Sequence, residues 1–88
     1  MSLCEKYNTV SHSIYDIMYK INSKDMKKTM LKSVDIQLKQ LDTTFSKQES
    51  FMKHFRIFDT HLTAVAACQN ATHVMREQLI KQIEEMES

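Results

Sequence analysis

The absence of glycine and proline constrains this chain more than any other feature of its sequence. None of the 88 residues is glycine or proline. Glycine normally supplies left-handed turns, and proline stops helices. Tight hairpins are therefore not expected. Lys, Gln, Glu, Met and Leu, which lose little side-chain freedom in a helix, are abundant. The sequence predicts an all-α protein.

A first apolar seam predicts an N-terminal helix over residues 3–22. Its members recur at alternating spacings of four and three residues, the pattern of a helix that packs against a neighbouring helix. They are Leu3, Tyr7, Val10, Ile14, Ile17 and Ile21. The seam is lost at residues 22–25, where Ser23 and Asp25 favour the start of a new helix. A bend or a short connection is expected there.

A longer apolar stripe predicts one helix over residues 24–87. Its first phase consists of Leu31, Val34, Leu38, Leu41, Phe45, Met52, Phe55 and Leu62, and a second phase from Phe51 includes Phe58, Val65, Thr72, Leu79 and Met86. A helix of some 60 residues would be on the order of 90 Å long. A weaker break is expected within residues 63–72, which are rich in residues of low helix propensity.

This layout predicts an elongated coiled-coil subunit with a single helical domain over residues 1–88. Such a rod has little interior, so its stripe needs cover from another chain or from the first helix folded back over it. Phe55, Phe58 and Leu62 are expected at the centre of the partner interface, because aromatic anchors dominate interface energetics. The whole expected interface is Leu3, Tyr7, Val10, Ile14, Ile17, Ile21, Leu31, Val34, Leu38, Leu41, Phe45, Met52, Phe55, Phe58, Leu62, Val65, Leu79 and Ile83.

The chemistry-bearing residues predict no catalytic, cofactor or metal site. His54, His61 and Cys68 recur every seven residues, which separates neighbours by roughly 10 Å along a helix, too far to share one zinc ion. Cys4 and Cys68 lack Cys-x-x-Cys spacing, and no glycine turn can form an oxyanion hole beside either. Both are expected to be reduced, unreactive thiols, and an enzymatic role is not expected.

The charge pattern supports a cytoplasmic protein with one basic cluster. A formal net charge of +1 creates no strong field for nucleic acid or membranes. The cluster, which would suit an anionic surface although a solvated face is the default, consists of Lys20, Lys24, Lys27, Lys28 and Lys32. No apolar run approaches the roughly 20 residues that cross a bilayer, and the N-terminus lacks the apolar core of a signal peptide.

Three collinear groups of residues carry a resemblance to a known family. They are Leu3-x-Glu5-Lys6-x-x-Thr9, Ile57 with Thr60-His61-Leu62, and Leu79 with Gln82-Ile83, while Ile14, Ile17, Ile21 and Leu31 fall in register between them. With these residues the chain resembles the BLOC-1-related complex subunit 7 family, whose members belong to the lysosome-positioning complex BORC. The resemblance implies a scaffold subunit among other small coiled-coil subunits on the cytosolic face of lysosomes. Such a complex recruits the small GTPase Arl8, which links lysosomes to kinesin for movement to the cell periphery.

Two other functions remain open from the sequence. The chain is either a hetero-oligomeric scaffold of this kind or a homo-oligomeric coiled-coil tether, as in meiotic or kinetochore assemblies. The third hypothesis is a basic amphipathic helix that binds anionic lipid or nucleic acid through the lysine cluster.

Overall fold

Three helices account for almost the whole chain. The computed structural model describes residues 1–87 and contains α1 (Leu3–Lys20), α2 (Lys24–His54) and α3 (Thr60–Glu87). The all-α prediction is confirmed, and the molecule is elongated, at 49 × 19 × 16 Å. Ser88, which was included in the predicted domain, lies outside the described residues.

The helices run up, down and up, with α1 against both of the others. Contacts advance in the same direction along α1 and α3, and in opposite directions along α2 and α3. Pairs that show this order are Ser11 with Thr72 and Met18 with Gln82 between α1 and α3, and Asp42 with His73 and Lys27 with Gln82 between α2 and α3. Helices α1 and α3 are therefore parallel, and α2 is antiparallel to both.

The connection between α1 and α2 lies where the sequence predicts it. α1 ends at Lys20, two residues before the predicted 22, and α2 starts at the predicted residue 24. The Ser23 hydroxyl accepts a hydrogen bond from the Met26 N–H at 3.3 Å. This cap satisfies one of the N–H groups that have no partner within a first helical turn.

The predicted continuous helix over 24–87 is wrong, because α2 and α3 are separated by a turn at residues 55–59. Arg56 has φ 55, the Ile57 N–H donates to the Met52 carbonyl at 2.8 Å, and the Arg56 N–H donates to the Lys53 carbonyl at 3.1 Å. These bonds form a Schellman motif, whose left-handed position is usually occupied by glycine. Here arginine occupies it, so the lack of glycine did not prevent the turn. The weaker break expected within 63–72 is also wrong, since α3 is continuous there.

The chain buries its own apolar stripe. The side chains below about 9% exposure form one cluster that draws on all three helices: Leu3, Tyr7, Val10, Ile14, Ile17, Val34, Leu38, Phe45, Val65, Leu79 and Ile83. Fully burying side chains of this size stabilises a fold by about 1.5–3 kcal/mol each before conformational entropy is counted. Another chain is therefore not needed to cover these positions, contrary to the expectation from a single long rod.

Two buried polar side chains tie the helices together. Thr72 on α3 donates to the Cys68 carbonyl and lies in hydrogen-bond reach of the Tyr7 carbonyl and the Ser11 hydroxyl on α1. Lys27, which was predicted on the anionic-surface cluster, is instead only 3% exposed. Its ammonium donates to the Met18 carbonyl at 3.0 Å and to Gln82 Oε1 at 2.7 Å. A cation at the C-terminal end of α1 is favoured by the helix dipole.

Candidate functional site

The outward side of α2 presents a second apolar face that no other helix covers. Met26, Met30, Ile36 and Phe51 are 53%, 38%, 62% and 56% exposed. At 100° per residue they span an arc of about 120°, whose centre lies about 120° from that of Val34, Leu38 and Phe45, which face the core. We call these four residues the outer α2 stripe.

The positions between the apolar members of this stripe carry little charge. Five of them are the uncharged residues Ser33, Gln37, Gln40, Thr44 and Gln48, and Lys47 is the one Lys, Arg, Asp or Glu residue within the same arc of α2; all six are exposed. A solvated helix face normally carries many Lys and Glu residues, and 26% of this chain is charged. An exposed, nearly uncharged and partly apolar face along a helix of 31 residues therefore resembles the surface of a protein contact.

A shallow depression beside Ile36 adds relief to this face. It has a volume of about 440 Å³ and is lined by Ile36, Lys39, Gln40, Thr43 and Thr44. Side chains of a neighbouring helix insert into such depressions when helices pack ridge into groove.

A polar groove between α2 and α3 has a different character. Asp42 lies at its centre and accepts hydrogen bonds from the Tyr7 hydroxyl at 2.5 Å and Gln69 Nε2 at 3.0 Å, and His73 Nε2 lies 2.8 Å away. Further along, the Arg76 guanidinium holds both carboxylate oxygens of Asp35 at 2.5 and 3.3 Å. The groove has a volume of about 800 Å³.

Hydrogen bonds and burial shift the pKa values of the groups in this network. Burial raises the pKa of Tyr7 above its usual value, and the hydrogen bond to Asp42 raises it further. Burial alone would raise the pKa of Asp42, but hydrogen bonds from Tyr7, Gln69 and His73 outweigh burial, so the pKa lies below its usual value. The hydrogen bond to Asp35 raises the pKa of Arg76. The carboxylates thus bond donors from α1 and α3, which fixes the spacing of the helices.

The turn between α2 and α3 displays a third group of apolar side chains. Phe55, Ile57 and Phe58 are 58%, 49% and 84% exposed. They lie at one end of the long axis, and the Phe55 ring packs at 4.7 Å from the Phe51 ring. We call Phe55, Ile57 and Phe58 the tip.

The structure divides the predicted partner interface into three groups. Buried within the chain are Leu3, Tyr7, Val10, Ile14, Ile17, Val34, Leu38, Phe45, Val65, Leu79 and Ile83; half-buried are Ile21, Leu31, Leu41, Met52 and Leu62; exposed are Phe55 and Phe58. Sequence reasoning missed the outer α2 stripe, because Met26, Met30 and Ile36 lie outside the heptad phase of the stronger core stripe. The low charge of the helix face on which they lie was the available signal.

The predicted basic cluster is dispersed. Lys20 pairs with Asp16 at 3.2 Å, Lys28 pairs with Glu87, and Lys27 is buried. Lys24 is half-buried and Lys32 is exposed. The hydrogen bond from Lys28 lowers the pKa of Glu87. The cluster is therefore not a continuous cationic surface.

The two cysteines correct another expectation. Cys4 and Cys68, predicted to be separate reduced thiols, form a disulfide with Cα atoms 5.6 Å apart. Parallel packing of α1 on α3 brings them together, although they are 64 residues apart in sequence. Sequence spacing alone carries no signal for such a contact.

Residues 1–87 contain neither a cluster of metal ligands nor a helix suited to span a membrane. No group of three or more His, Cys, Asp or Glu side chains is arranged to hold a metal ion in this part of the chain. None of the three described helices is both long enough and apolar enough to cross a bilayer.

No family model matches the sequence, and no curated protein and no solved structure is significantly similar to it.

Proposed function

We propose that this chain is a non-catalytic scaffold subunit that binds a helix of another protein along the outer α2 stripe. The observation that carries the proposal is the exposed face from Met26 to Phe51, where Lys47 is the one Lys, Arg, Asp or Glu residue, on a helix whose other side is already packed. A helix with two apolar sides is suited to join its own bundle to a neighbour. Burying exposed apolar side chains contributes about 25 cal/mol per Å² removed from water.

The shape of the molecule supports an assembly role. α2 has 31 residues and is about 46 Å long, so it offers six or more turns to a parallel or antiparallel partner. Helix-in-groove contacts use apolar anchors three or four residues apart, and Met26 and Met30 form such an i,i+4 pair. The polar network around Asp42 keeps α2 rigidly spaced from α3, which lowers the entropy lost on docking.

The sequence resemblance supplies a specific form of this proposal. In that form the partners are other small coiled-coil subunits of a BORC-type complex at the cytosolic face of lysosomes. The complex would recruit Arl8 and promote kinesin-dependent movement of lysosomes toward the cell periphery. In the reducing cytosol Cys4 and Cys68 would be in the thiol form, and the buried core around them would remain.

The test is affinity purification of the tagged chain from its native cells, with mass spectrometry of the co-purifying proteins. The perturbing variant is Ile36→Asp, and the matched control is Gln78→Asp, which places the same residue at an exposed position of α3, away from the outer α2 stripe. Because Ile36 is 62% exposed, both variants should show the helical content and thermal unfolding of the wild type by circular dichroism.

Recovery of small coiled-coil subunits with the control and their loss with Ile36→Asp would support the proposal. BORC subunits among them would support the lysosomal form. Recovery of the chain alone, together with a stable oligomer in size analysis that Ile36→Asp dissociates, would favour the homo-oligomeric tether. If Ile36→Asp recovers as much of the partners as the wild type does, the outer α2 stripe is not part of the interface.

A further inference from the structure

The α2–α3 turn projects beyond the N-terminal end of α1. Cys4 contacts Cys68 and Tyr7 contacts Asp42, so α1 begins opposite the Phe45 region of α2. The remaining turns of α2 and the first turn of α3 have no third helix beside them. At 1.5 Å per residue, the uncovered end of α2 is about 12 Å long.

The tip at the end of this projection is ordered by its own hydrogen bonds. The Schellman motif closes α2, and Asp59 Oδ1 accepts a hydrogen bond from the His61 N–H at 2.9 Å to open α3. The conformation thus depends on backbone bonds and one carboxylate, whereas Phe55, Ile57 and Phe58 remain exposed. The turn displays these three side chains without needing them for its own geometry.

The exposed charged side chains beside the tip are basic, whereas the acidic ones, Glu49 and Asp59, are half-buried. Lys53 and Arg56 are exposed and flank the tip, and His54 packs edge-on against Phe55 with ring centroids 4.9 Å apart. Of the nearby acidic groups, Asp59 is directed at the α3 backbone. Aromatic side chains next to cations suit the interface of an anionic bilayer, where rings lie at headgroup level and Lys and Arg bind anionic lipids.

We propose that the tip binds anionic lipid bilayers by inserting Phe55, Ile57 and Phe58, with Lys53 and Arg56 at the headgroups. The tip has three apolar side chains, far fewer than the 20–30 residues per side of a stable protein interface. A fluid bilayer accepts such a point without matching its shape. The activity is additional to the assembly function, and it moves Phe55 and Phe58 from the expected protein contact to a lipid contact.

The first experiment uses a single introduced tryptophan as a fluorescent reporter, which is possible because the chain contains no tryptophan of its own. Phe58→Trp is titrated with vesicles of phosphatidylcholine that contain phosphatidylserine, and with vesicles of phosphatidylcholine alone. The matched control is Tyr19→Trp, an aromatic position 63% exposed at the far end of α1. A blue shift and quenching by brominated lipid are expected for Phe58→Trp only, strongest with phosphatidylserine and weakened by salt.

The second experiment measures vesicle co-sedimentation of the full chain. Phe58→Ser should lower the partition constant at least about tenfold. Lys53→Gln with Arg56→Asn should lower it about 30-fold, since each cation near an anionic surface contributes about a fivefold increase in binding. Asn is chosen at residue 56 because it tolerates the left-handed conformation. Lys32→Gln, distant from the tip, is the control for loss of charge.

The outcomes separate the possible occupants of the tip. Equal responses of Phe58→Trp and Tyr19→Trp would overturn the proposal, as would a loss of binding with Lys32→Gln equal to that of the tip variants. A blue shift of the Phe58→Trp fluorescence that increases with protein concentration and does not depend on vesicles would assign the tip to a protein contact instead. Circular dichroism of every variant in buffer confirms that the fold is unchanged.

Discussion

Removing one hydroxyl from the core tests whether the Asp42 network holds the bundle together. Tyr7 is 0% exposed, and its hydroxyl donates to Asp42 Oδ1 at 2.5 Å. Tyr7→Phe keeps the ring in place and removes only this bond. A hydrogen bond to a charged partner contributes about 1.5–3 kcal/mol, and Asp42 keeps Gln69 and His73 as partners. We therefore expect a loss of about 2 kcal/mol in the free energy of unfolding.

The assay is urea unfolding of the wild type and Tyr7→Phe, followed by circular dichroism. The midpoint should fall while the slope of free energy against urea stays the same, because the buried surface is nearly unchanged. Tyr19→Phe is the matched control, since Tyr19 is 63% exposed and should change stability by less than about 0.5 kcal/mol. Equal midpoints for Tyr7→Phe and the wild type would refute the assignment of Asp42 as the centre of the network.

The same pair of proteins carries a signature at alkaline pH. The pKa of Tyr7 is raised above its usual 10.0 in the folded chain, so the unfolded chain releases this proton first as pH rises. The stabilisation is complete below the usual pKa and is lost as pH rises toward the folded pKa. Wild-type stability should therefore fall more steeply above pH 10 than that of Tyr7→Phe.

Three other predictions concern pH, the disulfide and the turn. Because the folded pKa of Asp42 lies below its usual 3.8, its stabilisation is complete above that value and lost as pH falls through the folded pKa, so the urea midpoint of the wild type should fall with acidification more steeply than that of Asp42→Asn. Reduction of Cys4–Cys68, which closes a loop with a separation of 64 residues, should cost up to about 4 kcal/mol in thermal unfolding, and a reductant should leave the doubly Ser-substituted chain unchanged. Arg56→Gly should raise the free energy of unfolding by up to about 1 kcal/mol because φ is 55, whereas Arg56→Ala should give no such gain.

Local pattern predicted the helices well and their arrangement poorly. The spacing from Leu3 to Ile17 identified α1 and its buried seam, because burial on one helix face requires that period. Ser23 marked the start of α2, because its hydroxyl caps a helix in isolation as well as in a bundle. The Schellman turn at Arg56 was missed because glycine is only the commonest residue at that position, and the residue present gives no warning.

Properties that depend on contacts between helices had no signal in the sequence. A lysine is usually exposed to solvent, yet the folded chain places Lys27 between the C-terminal end of α1 and Gln82. The Cys4–Cys68 pair arises only once α1 and α3 are parallel. The aromatic residues of the tip were expected in an interface because large apolar side chains are usually covered. Their exposure follows from where α1 begins, which periodicity does not encode.

The parallel packing of α1 on α3 has a consequence during biosynthesis, because α1 is synthesised before the helix that covers it. α1 is made before α3, but much of the surface that covers its seam belongs to α3. At roughly 5–20 residues per second, synthesis from the end of α1 to the end of α3 takes on the order of 3–13 s. During that interval Leu3, Tyr7 and Ile14 lack their final neighbours, so the nascent chain exposes an adhesive apolar helix that chaperones would recognise. Translation speed through α2 should therefore influence how much of this protein reaches its folded state.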